Sequence, residues 1–182
     1  MQPSGTARLT AWILIRVCLW LAGLLAAAAP VLAAEAASEQ SVRAALVFNF
    51  IKFTEWPATT TGETQLRVCV ATNDPAQMAA IEALDNRRVR DKTLVAVRFR
   101  HQADCGVIYV DSPRRWRELA ERSAIGSPLT VGAYAGFVAD GGMIEISLQG
   151  GNVRFDINLH ETKRAGLRIY PQLLRLARRI AE

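Results

Sequence analysis

The residues that could do chemistry in this 182-residue chain are few. Its two histidines, His101 and His160, are not spaced as metal ligands, and its three cysteines form no Cys-x-x-Cys pair. The chain also has no Gly-x-Ser-x-Gly nucleophile elbow and no Walker loop. The acids, bases and nucleophiles are too scattered for a catalytic site, so the sequence predicts no enzyme, no metal and no cofactor.

Three acidic residues remain as candidates for a binding role. Asp111 lies at the carboxyl end of a predicted strand, where α/β folds place ligands, although the Ser112-Pro113 that follows makes it part of a helix cap. Glu145 and Asp156 alternate with the apolar face of a predicted hairpin. We therefore expect both side chains to be solvated, with Arg154 as a partner.

The N-terminus has the pattern of a secretory leader, which we assign to residues 1–33. A basic residue precedes an apolar run whose uninterrupted part is 17–29, and small or tolerated residues precede the cleavage point. Arg16 interrupts the run, which leaves it shorter than the roughly 20 apolar residues of a spanning helix. A retained membrane anchor and cleavage after Ala36 are the alternatives. Residues 34–182 then form the mature domain.

Removing the leader changes both the charge and the cysteine count. It leaves 20 basic and 17 acidic residues, a net charge of +3, which is too small an excess to indicate nucleic-acid binding. Only Cys69 and Cys105 remain after the leader is removed. In an exported chain they favour a disulfide that closes a loop of about 36 residues, and two buried thiols are the alternative. These features predict a bacterial periplasmic protein.

Strand and helix patterns alternate through the mature chain. A first helix is predicted from Glu39 to Trp56, where Pro57 stops it. Its apolar side faces the core, but Phe48 projects on the polar side between Lys52 and Glu55. That ring covers a neighbouring loop or contacts a partner or ligand. Later strands are predicted at 66–71, 88–90, 93–99, 106–110 and 128–131, and later helices at 76–84 and 113–123.

The last 40 residues form a closing unit. Two runs of alternating apolar residues, 144–148 and 153–157, flank a glycine turn and predict a β-hairpin. Asn158 caps a short helix that Gly166 ends, and Pro171 opens a final helix that continues to Ile180. Together the patterns predict an α/β fold: a single three-layer domain with a mixed, largely parallel sheet and a C-terminal β-hairpin plus helices.

Four stretches of the chain resemble the YfiR family of periplasmic proteins. They are VRAALVFNFIKFTEWP (42–57), RVCVATNDP (67–75), CGVIYVDS (105–112) and GGMIEISLQGGNVRFDINLHETKRAGLRIYPQLLRLAR (141–178). The resemblance implies a repressor that binds the periplasmic sensory region of a YfiN-like inner-membrane diguanylate cyclase. It also implies that a YfiB-like, OmpA-like outer-membrane lipoprotein relieves repression by sequestering the repressor.

The resemblance assigns roles to only a few residues. Cys69 and Cys105 match the disulfide pair of the family, which implies that repression depends on the redox state of the envelope. Family motifs do not transfer the partner-binding surface, so we choose polar-side or aromatic residues that we expect to be reachable. They are Arg43, Phe48 and Lys52 on the first helix, and Glu145, Arg168 and Tyr170 around the hairpin and the last helix.

The sequence therefore favours a non-enzymatic regulator that lowers cyclic di-GMP and biofilm formation. The alternative is a periplasmic module that binds or senses a small molecule in a crevice near Asp111 and Asn73. Nucleic acid is not expected as a partner in this compartment, and homodimerisation is left open.

Overall fold

The computed structural model describes residues 29–57, 64–100, 105–120, 128–149 and 152–182. The chain divides into two compact units, Met1–Ser38 and Glu39–Glu182, and the second contains the sheet described below. Residues 1–28 of the predicted leader and His101 lie outside the described residues. Within the described residues, no helix combines the length and apolar character that crossing a membrane requires.

Helices and strands alternate through most of the chain. The helices are α1 (Ala29–Lys52), α2 (Pro75–Glu82), α3 (Pro113–Ala120), α4 (Leu159–Arg164) and α5 (Pro171–Leu174). The strands are β1 (Thr54–Glu55), β2 (Gln65–Ala71), β3 (Arg88–Val89), β4 (Lys92–Arg98), β5 (Val107–Val110), β6 (Leu129–Gly132), β7 (Ile144–Gln149), β8 (Asn152–Asn158), β9 (Arg168–Ile169) and β10 (Arg179–Ala181).

Eight of these strands form one mixed sheet in the order β10-β8-β7-β6-β5-β2-β4-β3. The five neighbouring strands β7, β6, β5, β2 and β4 are all parallel. The hairpin partners β7 and β8 are antiparallel, as are β3 and β4 at the opposite edge. The predicted α/β class with a largely parallel sheet is confirmed.

Side-chain alternation along β2 shows how the layers are built. Val68 and Val70 lie in a core cluster that also contains buried residues of α1 and α2. Cys69, between them, packs on the opposite face with Leu119 of α3 and with Phe137. Because successive side chains of a strand point to opposite faces, a strand buried on both sides must be apolar throughout. Helices on both faces therefore give the three predicted layers.

Phe137 occupies a tight site on the α3 face. Its ring lies 4.8 Å from that of Trp116 and 5.4 Å from that of Tyr134, both in edge-to-face geometry. A Cβ atom at Gly132 would lie 2.1 Å from a ring carbon of Phe137, and one at Gly142 would lie 2.2 Å from another. The ring therefore fits only because both neighbours are glycine.

The two cysteines of the mature chain join the central strands. β2 and β5 are parallel neighbours, and Cys69 is bonded to Cys105, which lies just before β5, with a Cα–Cα separation of 5.7 Å. The disulfide expected from the sequence is confirmed, and the alternative of two buried thiols is wrong.

The first helix begins at Ala29 rather than at the predicted Glu39. Two predicted C-terminal helix ends are also wrong, both because a distant strand pairs with the segment. The first helix ends at Lys52 rather than Trp56, because Thr54–Glu55 forms β1 and pairs with β9. The final helix is a single turn, Pro171–Leu174, and does not reach Ile180. The residues Arg179–Ala181 instead form β10, which pairs with β8.

The closing hairpin and the helix after it follow the local signals. β7 and β8 pair antiparallel, with Ile144 opposite Ile157. The Asn158 side chain accepts a hydrogen bond of 3.1 Å from the backbone N–H of Glu161, so it caps α4 as predicted. Gly166 follows the helix with φ of 72°, a left-handed conformation that favours glycine.

The expectation that Glu145 and Asp156 are solvated is wrong. Glu145 is 5% exposed and accepts a hydrogen bond of 3.2 Å from the backbone N–H of Val138, because the turn before β7 covers that face of the sheet. Asp156 is 1% exposed and accepts bonds of 2.7 to 3.1 Å from Arg178 and Arg179, rather than from Arg154. This ion pair ties β10 to β8.

The Cys69→Ser substitution is expected to lower the free energy of unfolding by about 4 kcal/mol, the chain-entropy value for a loop of this length. Urea titration of the oxidised protein measures the change. Cys105→Ser should give the same loss, because either substitution removes the same bond. Equal melting temperatures for Cys69→Ser and the unaltered protein would contradict the prediction.

The stability contributed by Asp156 should depend on pH. The hydrogen bond from Arg178, followed by the charges of Arg178 and Arg179, holds the pKa of Asp156 below its ordinary value. A carboxylate with a lowered pKa stabilises the fold above its unfolded pKa of about 4, and this contribution is lost as the pH falls through the folded value. Asp156→Asn should therefore be destabilising at pH 7.

Urea unfolding of Asp156→Asn and the unaltered protein between about pH 2 and pH 7 measures that difference. The gap in unfolding free energy should narrow as the pH falls below about 4. Asp91→Asn, at an exposed position, is the control and should leave the pH profile unchanged. A gap of constant size across this range would contradict the assigned role.

Candidate functional site

The end of α1 and the C-terminal segment meet in a small two-stranded sheet. β1 pairs antiparallel with β9, with Thr54 opposite Ile169 and Glu55 opposite Arg168. The backbone N–H of Tyr170 also donates to the carbonyl oxygen of Phe53 at 2.9 Å. This pairing brings the end of α1, which carries Lys52, beside Arg168 and Tyr170.

Aromatic rings and arginine side chains alternate on the surface around this small sheet. The guanidinium carbon of Arg87 lies 4.2 Å from the ring centroid of Phe48, and the ammonium of Lys52 lies 5.9 Å from the same centroid. The guanidinium carbon of Arg90 lies 5.1 Å from the ring centroid of Tyr170. These are cation–π distances. We call this surface the basic–aromatic face; its residues are Phe48, Lys52, Arg87, Arg90, Arg168 and Tyr170.

The side chain of Arg90 connects the basic–aromatic face to the end of α1 through hydrogen bonds. Its guanidinium donates to the carbonyl oxygen of Thr54 at 3.1 Å and to that of Lys52 at 3.0 Å. The carbonyl of Lys52 lies at the end of α1 and has no partner within the helix, so the bond from Arg90 satisfies it. The bond to Thr54 connects Arg90 to β1. Arg90 also has φ of 56°, a left-handed conformation that is unfavourable for a residue with a Cβ atom.

Phe48 packs against the connection between α2 and β3, because Arg87 belongs to that connection. The reading in which this ring covers a neighbouring loop is therefore confirmed. The ring also packs against the main core cluster and is only partly buried.

A cavity of about 160 Å³ opens beside the basic–aromatic face. Ile51, Trp56, Leu66 and Val89 give it an apolar lining, and charged residues including Arg90 also line it. Trp56 is fixed there by a hydrogen bond of 3.2 Å from its indole N–H to the carbonyl oxygen of Gly106. An engineered apolar cavity of about 150 Å³ binds benzene, so this one has room for a single apolar or aromatic side chain.

The basic–aromatic face carries more positive than negative charge. Lys52, Arg87, Arg90 and Arg168 are all exposed. Glu55 partly balances them, 3.7 Å from Arg168, but an exposed pair at that distance contributes little. The face therefore favours an acidic partner surface.

The structure brings together four of the six residues chosen from the sequence. Arg43 lies elsewhere on α1, where its guanidinium donates to the carboxylate of Glu39. Glu145 is buried in the sheet and is not available to a partner. Arg87 and Arg90 belong to the face but were not chosen, because the sequence showed only that residues 85–92 are charged and exposed.

The described residues contain no group of three or more His, Cys, Asp or Glu side chains that could hold a metal ion. The basic–aromatic face combines rings and cations with a neighbouring cavity that has an apolar lining. Exposed rings and arginines of this kind are enriched at protein–protein interfaces.

The family assignment follows from comparison of sequences. The chain belongs to the YfiR/HmsC-like family, whose sequence model matches residues 40–178, so the resemblance drawn from the motifs is confirmed. Membership supports a periplasmic regulator of diguanylate cyclase signalling, and the family is one of regulatory proteins rather than enzymes. No curated protein matches the chain.

Similar solved structures share little sequence with the chain. A conserved domain protein from Vibrio cholerae O1 biovar El Tor is 11% identical with a TM-score of 0.45, and the match covers 78% of this chain and 60% of that one. An ABC domain in complex with L-Trp from Streptococcus pneumoniae is 10% identical with a TM-score of 0.46, over 68% of this chain and 58% of that one. The chain thus spans about 60% of the length of these proteins.

Two substitutions at Arg90 should separate the stability contributed by its side-chain hydrogen bonds from the cost of its backbone conformation. Arg90→Ala loses the bonds to two carbonyls and keeps the unfavourable φ, whereas Arg90→Gly loses the same bonds and relieves it. Both should be destabilised, but Arg90→Gly should be more stable than Arg90→Ala by about 1 kcal/mol in urea unfolding. An Ala variant as stable as the Gly variant would contradict the left-handed conformation.

Proposed function

We propose that this protein binds the periplasmic sensory region of an inner-membrane diguanylate cyclase and holds the enzyme inactive. Repression lowers cyclic di-GMP and biofilm formation until an envelope signal releases the cyclase. The observation that carries this proposal is the family match over residues 40–178, nearly the whole of the unit Glu39–Glu182.

The basic–aromatic face is the surface that we assign to the cyclase. Binding energy at protein interfaces is concentrated in a few residues, among which Tyr and Arg are enriched. Here the aromatic rings are already held by arginines, so little side-chain entropy is lost when a partner contacts them. The cavity beside Trp56 would take one apolar side chain of the partner, and the surrounding cations would pair with acidic residues near it.

Repression requires only a difference in affinity. If the regulator binds the inactive state of the cyclase more tightly than the active state, binding shifts the population towards the inactive one. A cyclase that is half active alone becomes about 1% active when that preference is about 100-fold. The regulator needs no chemistry of its own for this.

Release can occur in two ways that this structure makes testable. A YfiB-like lipoprotein that covers the basic–aromatic face would compete directly with the cyclase. Reduction of the Cys69–Cys105 bond would act indirectly, by loosening the β2–β5 pair that supports the fold.

Charge reversal on the basic–aromatic face should weaken cyclase binding. Lys52→Glu is expected to reduce the affinity for the purified sensory region by about tenfold or more. It replaces a cation beside Phe48 with a negative charge, which an acidic partner surface would repel. Isothermal titration measures the affinity, and thermal unfolding checks that the variant is folded.

Arg117→Glu is the matched control, since this exposed residue lies on α3 on the other face of the sheet. It should leave the affinity within about twofold of the starting value. In cells, deletion of the gene should raise cyclic di-GMP. Unchanged cyclic di-GMP in a strain that contains the cyclase would refute the proposed repression, whereas equal loss in both charge variants would refute only the assigned face.

A further inference from the structure

The order of strands marks a second place at which a ligand can bind. After β2, the chain forms β4 on one side of β2, then crosses over it and adds β5, β6 and β7 on the other side. The direction of winding therefore reverses between β2 and β5. In doubly wound sheets, ligands bind at the carboxyl ends of the two strands that flank such a reversal.

Polar residues lie at both of these strand ends. Thr72 follows β2 and donates its hydroxyl to the carboxylate of Asp111, which follows β5. The backbone N–H of Asp74 donates to the Thr72 hydroxyl at 2.9 Å, and Arg115 donates to the side-chain oxygen of Asn73. The two strand ends are thus joined by side-chain hydrogen bonds. Asn73 and Asp111 are the residues at which the sequence placed its alternative small-molecule crevice.

Four side chains on α1, α2 and β5 carry buried polar atoms whose hydrogen-bonding capacity is unused. Gln77 is 1% exposed and neither its amide nitrogen nor its oxygen has a partner, and the hydroxyl of Tyr109, which is 0% exposed, has none either. The side-chain oxygen of Gln40 and the Nε of Arg43 are also buried without partners. These are all of the buried side-chain polar atoms in the described residues that have no hydrogen-bond partner.

The hydrogen bonds and packing of neighbouring residues place these four side chains in one region of the fold. The amide nitrogen of Gln40 donates to Asp74 at 2.9 Å, and Asp74 caps the helix on which Gln77 lies three residues later. Tyr109 belongs to the same buried core cluster as Ala44 and Met78, which are the residues next to Arg43 and Gln77. Burial raises the pKa of Tyr109, and the positive charge of Arg43 acts in the opposite direction. We call Gln40, Arg43, Gln77 and Tyr109 the switch-point cluster.

The switch-point cluster is costly for stability. A buried polar group without a partner destabilises a fold because it has lost its hydrogen bonds to water, and native proteins contain only a few such groups. Here they are concentrated at the one place where the topology favours a ligand. Apolar side chains of similar shape would be at least as stable there, so stability alone does not explain why these residues are polar.

We propose that the switch-point cluster binds a small ligand through an amide group. The side chain of Gln77 presents a donor beside an acceptor, which pairs in two hydrogen bonds with the N–H and C=O of another amide. Gln40 adds an acceptor and Arg43 a donor. The carboxylates of Asp74 and Asp111 balance the guanidinium groups of Arg43 and Arg115, so the site favours a neutral or zwitterionic molecule over an anion.

Binding requires a small opening of the structure. The unpartnered atoms are out of contact with solvent, so the hydrogen bond between Gln40 and Asp74 must break before a ligand reaches them. The turn of α1 that carries Gln40 and Arg43 then moves. Because α1 also carries Phe48 and Lys52, ligand binding would act on the basic–aromatic face; this link rests on the proposed function, whereas the site itself does not.

Thermal unfolding of the purified protein tests the site without any cyclase. The probes are glycyl-glycine, which has a peptide amide, and N-acetylglucosamine, which has an acetamido group, each at about 10 mM. Glycine and glucose are the matched molecules that lack an amide. At least one amide probe should raise the melting temperature by about 2–4 °C, and its counterpart should not. The probe that acts identifies the peptide or the acylated sugar as the source of the amide.

Two variants then locate the effect. Gln77→Leu should leave the melting temperature of the ligand-free protein unchanged or higher, and should abolish the shift caused by the probe. Gln172→Leu replaces an exposed glutamine and should keep the shift. Tyr109→Phe removes only a hydroxyl and provides a second test within the cluster if Gln77→Leu does not fold.

Three outcomes would overturn the proposal. The first is that neither amide probe shifts the melting temperature. The second is that the molecules without an amide act equally. The third is that the shift survives in a folded Gln77→Leu variant or, if that variant does not fold, in Tyr109→Phe. Each of these results leaves the proposed repression of a cyclase untouched, because that function is measured by cyclase binding and cellular cyclic di-GMP.

Discussion

The covalent bond between Cys69 and Cys105 cross-links β2 and β5, the two hydrogen-bonded strands around which the sheet of this domain is arranged. It joins the middle of β2 to the residue two positions before β5, so the two central strands have one register. Every other parallel strand is added outward from this pair, β4 on one side and β6 and β7 on the other. The reversal of winding, the helices on both faces and the polar residues at the strand ends all follow from where these two strands meet.

Local signals in the sequence predicted the parts of the fold that a single side chain determines. Asn158 caps α4 and Gly166 ends it because each acts on backbone groups within a few residues. The errors concern segments whose structure depends on a distant strand. Thr54–Glu55 and Arg179–Ala181 were assigned to helices on local pattern, and both are strands because β9 and β8 pair with them. No periodicity within either segment could have shown this.

The residues of the candidate site also fall into those that a local pattern reveals and those that depend on distant elements. Phe48 could be chosen from the sequence because an aromatic ring on the polar side of a helix is visible in the helical pattern. Arg87 and Arg90 could not, since their importance comes from rings and carbonyls contributed by other elements. The choice of Glu145 failed for a related reason: alternation showed which way it points, but not that the turn at Val138 covers it. The unused polar atoms of Gln77 and Tyr109 likewise became apparent only in three dimensions.

The tight packing of the Phe137 ring restricts how the sequence of this domain can evolve. Any side chain at Gly132 or Gly142 would overlap the ring, so replacing either glycine first should be harmful while Phe137 is present. If a smaller residue replaces the ring first, the same glycine changes become tolerable. The order of substitution therefore matters, and the three positions should vary together among descendants of this sequence rather than independently.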